Sequence, residues 1–196
     1  MKRLFVVAMY EEAKGIIDAL KMFRSTTNIF QTMNGDDTLV ITGIGMPRVY
    51  QTLIPLLNAQ KYDIIVNVGS CGAIKTDSSV GDMIFFNSEE SFLGDWDLSA
   101  FGDKSKDPLY GKELTKLSLV SYSQFKEVTE DTIPHYADME YYAIVNIGSI
   151  YKIPTVAFKV VSDNGSAEEF DGNITNVMQD GNKIINTIEN LLNDWR

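Results

Sequence analysis

Cysteine and histidine are almost absent: Cys71 and His135 are the only ones in 196 residues. One thiol excludes an internal disulfide, and one imidazole excludes a His-rich metal site and argues against a Cys/His zinc cluster. A Ser-His-Asp hydrolase would have to use His135, which follows Pro134 in a polar stretch, and no G-x-S-x-G elbow occurs in the chain. Long apolar runs are also lacking. The N-terminal one, within Met1–Ala8, is far too short for a signal peptide or a membrane span. Basic residues are few, 17 Lys and Arg against 27 Asp and Glu. The resulting net charge of -10 argues against a protein that coats nucleic acid or an anionic membrane. The expectation is a cytoplasmic protein with no metal, no nucleic acid and no membrane partner.

What is present is an ordinary core-forming composition, 44% apolar and 22% charged. The length suits one domain, 1–196. Leu4 to Met9 reads as a buried strand. Glu11 to Leu20 places Ala13, Ile16, Ile17 and Leu20 on one helical face, with acids in the first turn where the helix dipole favours them. Asn28–Met33 and Thr38–Thr42 read as paired strands around the turn Asn34-Gly35-Asp36-Asp37. A helix is expected from about Pro47 to Asn58. The run Asp63-Ile64-Ile65-Val66-Asn67-Val68 suits a strand buried on both faces, ending in the turn Gly69-Ser70-Cys71-Gly72. Met83–Asn87 is a further strand, residues 88–116 a long polar loop, and Leu117–Ser121 a short apolar segment. A helix from Asp138 to about Tyr151, a strand over Thr155–Val161 and one helix from Ile174 to Trp195 complete the reading. The order predicts an α/β fold, a three-layer α/β/α sandwich on a central mixed, largely parallel sheet.

Ligands of such folds bind at the carboxyl ends of the strands. The strand Phe158-Lys159-Val160-Val161 runs into Ser162 and Asp163, the first strand leads to Met9, Glu11 and Glu12, and the central one to Ser70, Cys71 and Gly72. A partly desolvated acid at such a position can donate a proton near neutral pH. Each group also has a plainer role. Acids after strands cap helices and begin turns, Gly69 and Gly72 can serve backbone geometry alone, and Cys71 suits an inert core thiol. Gly69–Gly72 is neither a dinucleotide fingerprint nor a Walker A loop. The residues describe a pocket with two or three carboxylates, backbone N–H donors and Met and Phe side chains. It suits acid/base chemistry on a neutral, hydroxylated, flat ligand.

In order along the chain, Ala8-Met9-Tyr10-Glu11-Glu12, Thr42-Gly43-Ile44-Gly45, Ile65-Val66-Asn67-Val68-Gly69-Ser70-Cys71-Gly72, Val80-Gly81-Asp82, Asp95-Trp96-Asp97-Leu98-Ser99-Ala100-Phe101-Gly102, Ala137-Asp138-Met139-Glu140 and Lys159-Val160-Val161-Ser162-Asp163 resemble the nucleoside phosphorylase/nucleosidase superfamily. The resemblance is greatest to its 5′-methylthioadenosine/S-adenosylhomocysteine nucleosidase branch. It implies cleavage of the N-glycosidic bond of a purine nucleoside, with no cofactor and in a homodimer. Asp163 would protonate purine N7 and Glu12 would activate water. Glu140 would bind the ribose hydroxyls, Met9 and Met139 would pack on the sugar, and Phe125 would stack on the base. Ser70, Cys71 and Gly72 would border the base and the water site, with Ser162, Lys159 and Ile44 completing the substrate-binding set.

Phosphorylases of the superfamily carry a Gly-rich, Arg-bearing phosphate site after the first strand. Here Tyr10-Glu11-Glu12 stands there, and its carboxylates would repel phosphate, so water is the expected nucleophile. Phosphorolysis and a catalytically weak nucleoside-binding role are the alternatives. The second is motivated by a shortened stretch at about 102–117 and by Lys159 where the family often has Arg, since lysine lacks the planar fork.

Overall fold

The computed structural model describes residues 1–94, 117–125 and 134–194. The expected Asp95–Gly102 segment, most of the 88–116 stretch and Trp195 lie outside these residues. Among the described residues, ten strands form one sheet: β1 (Arg3–Val7), β2 (Phe23–Arg24), β3 (Ile29–Gln31), β4 (Asp37–Ile41), β5 (Ile64–Ile74), β6 (Met83–Asn87), β7 (Ser91–Leu93), β8 (Leu119–Ser121), β9 (His135–Asp138) and β10 (Thr155–Asp163). Five helices of the described residues accompany them: α1 (Tyr10–Ala19), α2 (Met46–Ala59), α3 (Tyr141–Tyr151), α4 (Ala167–Val177) and α5 (Gly181–Asp194), with a 3₁₀ turn at Ser88–Glu90.

The sheet is mixed. β1 pairs in parallel with β4 and β5, β5 with β10, and β7–β8–β9 are parallel to one another. The antiparallel pairs are β2–β3, β3–β4, β5–β9 and β6–β10. β5 is the axis. Its first half lies between β1 and β10, and beyond the end of β1 its residues Gly72–Ile74 take β9 as partner. Two apolar layers cover the sheet. Val49, Leu53 and Leu57 of α2 with Ala143, Ile144 and Ile147 of α3 cover one face. Ala13 and Ile16 of α1, Ile174 of α4 and Ile184, Ile185 and Ile188 of α5 cover the other. This is the expected three-layer sandwich. Among the described residues, no helix is long and apolar enough to cross a membrane.

Three local expectations are corrected. The Gly69–Gly72 segment is not a turn, since β5 runs through it to Ile74. Asp138 does not open a helix; it ends β9, and its Oδ2 accepts the Tyr141 N–H at 3.0 Å where α3 begins. The C-terminal helix is two helices, broken at Met178–Asp180. The break lets the backbone of α1 pass against the turn. A Cβ on Gly181 would lie 1.8 Å from the Gly15 carbonyl oxygen, and one on Gly15 would lie 2.6 Å from that of Met178. A continuous helix could not make that approach.

Candidate active site

The first acid of the site is set by helix formation itself. Glu12 is the third residue of α1, and its Oε2 accepts the backbone N–H of Ala8 at 3.0 Å and of Met9 at 3.2 Å, closing the helix N-terminus. Its Oε1 reaches across to β5, accepting the Ser70 N–H at 2.8 Å and the Ser70 hydroxyl at 2.9 Å. The residue that caps α1 thus joins it to the central strand.

Asp163 ends β10, whose nine residues are all buried. The β5–β10 register shifts between Val161 and Asp163, and such an irregularity re-aims the side chains that follow it. Asp163 Oδ1 accepts the Gly165 N–H at 2.8 Å, and Oδ2 accepts the Ser162 hydroxyl at 2.8 Å. Asn173 of α4 donates to the Ser162 carbonyl at 3.0 Å, tying this strand end to the helix after it.

The two glycines of β5 have a steric reason. Neither has positive φ. A Cβ on Gly69 would lie 2.9 Å from Glu12 Oε1, and one on Gly72 would lie 2.9 Å from Asp163 Oδ1. Each glycine vacates the space that a carboxylate occupies.

Glu140 precedes α3, and its Oε1 accepts the Gly45 N–H at the start of α2 at 2.7 Å. Burial, then the charges of Asp138 and Glu12, push its pKa up to about 8, against the opposing pull of Lys159 and the Gly45 N–H. Lys159 lies behind this group. Its Nζ pairs with Asp138 Oδ2 at 2.8 Å, with both side chains almost wholly buried. Burial lowers the lysine pKa, but Asp138, Glu140 and Glu12 outweigh it and the net shift is upward. Asp138 Oδ1 also accepts the Ser121 hydroxyl at 2.5 Å. The Cys71 thiol is pushed up by burial, which suits a packing role better than that of a nucleophile.

These groups meet at one cavity of about 130 Å³. It is lined by Met9, Glu12, Ile44, Ser70, Cys71, Gly72, Phe125, Met139, Glu140, Ser162 and Asp163, which are all the expected site residues except Lys159. Lys159 faces Asp138 instead of the cavity wall. Ala8, Ala137, Asp138 and Phe170 also line it. Phe170 had a legible signal, a lone aromatic seven residues beyond Asp163. The role of Asp138 depends on where β8 and β10 lie. A smaller adjoining cavity of about 50 Å³ adds Ile74, Tyr122, Gln124 and Gly165 on the Asp163 side. Among the described residues, no cluster of three or more His, Cys, Asp or Glu side chains could hold a metal ion.

The parallel-centred sheet and the acids that open on one cavity make up an α/β architecture shared with solved structures. Solved structures bear out that fold. Futalosine hydrolase of Helicobacter pylori superposes with a TM-score of 0.75 at 16% identity, covering 96% of this chain and 97% of that one. A putative 5′-methylthioadenosine/S-adenosylhomocysteine nucleosidase of Borrelia burgdorferi, bound to adenine, gives 0.76 at 22% identity over 96% and 99%. In sequence, the chain is 26% identical to the 5′-methylthioadenosine/S-adenosylhomocysteine nucleosidase of Haemophilus influenzae (strain PittEE), over 86% of this chain and 88% of that protein. No family model matches the chain.

Proposed function

We propose that this chain is a purine nucleosidase that hydrolyses the N-glycosidic bond of a 5′-methylthioadenosine- or S-adenosylhomocysteine-like nucleoside to free base and a ribose derivative. The observation that carries the reading is the convergence of Glu12, Glu140 and Asp163 on one apolar-walled cavity. The sequence relatives, named as nucleosidases of this type, support it.

Asp163 gives a proton to the base, so that the C1′–N9 electron pair leaves with a neutral purine. Glu12 is the base that ends with a proton when water attacks, and Glu140 holds the ribose hydroxyls. Leaving-group protonation and water activation are each worth about 10²–10⁴-fold.

Water is favoured over phosphate because the Glu12 carboxylate lines the cavity, whereas Arg3 is paired with Asp37, Arg24 stacks on Phe30 and Arg48 is exposed on α2. Homodimer formation and a cytoplasmic location belong to the same proposal. The first is supported by the exposed Ile44 and Phe125 at the cavity rim, which a second copy would cover.

The test is release of free base from a panel of purine nucleosides, with and without phosphate, followed by chromatography. Release in phosphate-free buffer is expected, falling at least 10²-fold in Asp163→Asn. Strict dependence on phosphate would transfer the reading to a phosphorylase. Unchanged turnover in Asp163→Asn would remove the proposed acid.

A further inference from the structure

Glu12 has no vacant place for a proton from water. A carboxylate offers about four lone-pair sites, and here four hydrogen bonds arrive: Ala8 N–H and Met9 N–H on Oε2, Ser70 N–H and Ser70 Oγ–H on Oε1. Three come from backbone amides fixed where β1 meets α1 and within β5, and cannot turn away without disrupting those elements. The fourth comes from a hydroxyl, which is a rotor and has lone pairs of its own. No group among the described residues donates to Ser70 Oγ, and the half-buried Ser70 lines the cavity beside the buried Glu12.

We infer that Ser70 is a catalytic residue that relays the proton: the nucleophilic water gives its proton to Ser70 Oγ while the Ser70 hydroxyl proton passes to Glu12 Oε1. The inference rests on the hydrolytic reading above. The water oxygen bonds to C1′ as the C1′–N9 bond breaks, and that electron pair goes to the purine, protonated by Asp163. Glu12 ends neutral, Asp163 ends ionised and Ser70 is unchanged. A return of one proton from Glu12 to Asp163 through solvent resets the site.

Ser70→Ala separates the relay from direct proton transfer by sign. The substitution keeps the Ser70 N–H bond and vacates one acceptor site on Oε1. If water gave its proton to Glu12 directly, this variant would be as fast as the parent or faster. The relay predicts a kcat about 10²-fold lower with KM little changed, and restoration of most of the rate in Ser70→Thr. Adenine binding followed by calorimetry should be retained in both variants. In H₂O/D₂O mixtures, the rate of the parent should depend on deuterium fraction along a curve, with two protons in flight, and that of Ser70→Ala along a straight line. Full activity in Ser70→Ala would overturn the relay and leave the hydrolase reading intact. Absence of base release by the unmodified protein from every purine nucleoside would overturn that reading, and the relay with it.

Discussion

Asp138→Asn is the perturbation with the largest consequence that can be worked out from contacts alone. Asp138 receives three donors: the Ser121 hydroxyl on Oδ1, and the Tyr141 N–H and Lys159 Nζ on Oδ2. These tie β8, the start of α3 and β10 to the end of β9. An asparagine retains one acceptor oxygen, and its NH₂ must then face either another donor or the Ser121 hydroxyl, which already accepts the Tyr142 N–H at 2.9 Å. Lys159, with 2% of its side chain exposed, keeps its charge and loses its partner. Breaking a buried pair in this way costs about 3–5 kcal/mol. Lys159→Met should cost a similar amount by leaving Asp138 uncompensated. The double variant should be more stable than the sum of the two, with a coupling of about 1–3 kcal/mol, because neither charge is then stranded. Urea denaturation followed by circular dichroism measures all four corners of the cycle. A loss below about 1 kcal/mol in Asp138→Asn, with additive behaviour in the double variant, would refute the assignment of the pair as a buried clasp.

The raised pKa of Glu140 has a stability consequence of definite sign. Its folded value of about 8 lies above the ordinary 4.5, so the folded chain holds a proton that the unfolded chain has lost. This contribution is complete below pH 4.5 and declines as pH rises to about 8, by up to about 1.4 kcal/mol per pH unit. Urea unfolding against pH should show that decline in the parent and a flatter profile in Glu140→Gln; equal slopes would contradict it. Gly69→Ala drives a Cβ into Glu12 Oε1, so base release should fall at least about tenfold while stability drops by about 1–3 kcal/mol, read by turnover and denaturation. Gly181→Ala forces α5 away from α1, and its unfolding midpoint should fall by the equivalent of about 3 kcal/mol with little change in Glu140 titration.

Much of the molecule was legible along the chain because its causes are local. The apolar run of β5 needs no partner to declare a buried strand, the spacing of Ala13 and Ile16 declares a helical face, and Asn34–Asp37 reads as a hairpin turn between β3 and β4. The errors fell where a distant contact overrides a local preference. Gly69 and Gly72 look like turn residues, yet they lie within a strand where two carboxylates need the space. Ile174 to Trp195 carries one continuous apolar stripe, yet the helix breaks because α1 passes within backbone contact of Gly181.

By itself, the sequence determined the main strands β1, β5 and β10 and the helical faces of α1 and α2, the placing of acids near strand ends, and the absence of enough Cys or His for disulfide or zinc chemistry, since pattern and composition need no third dimension. Only the tertiary structure decided which charges meet. A lysine between Phe158 and Val160 and an acid before Met139 carry no mark of their pairing. That pairing follows from the β5–β9 and β5–β10 alignments, which draw Lys159 onto Asp138 and leave Glu12, Glu140 and Asp163 facing the cavity.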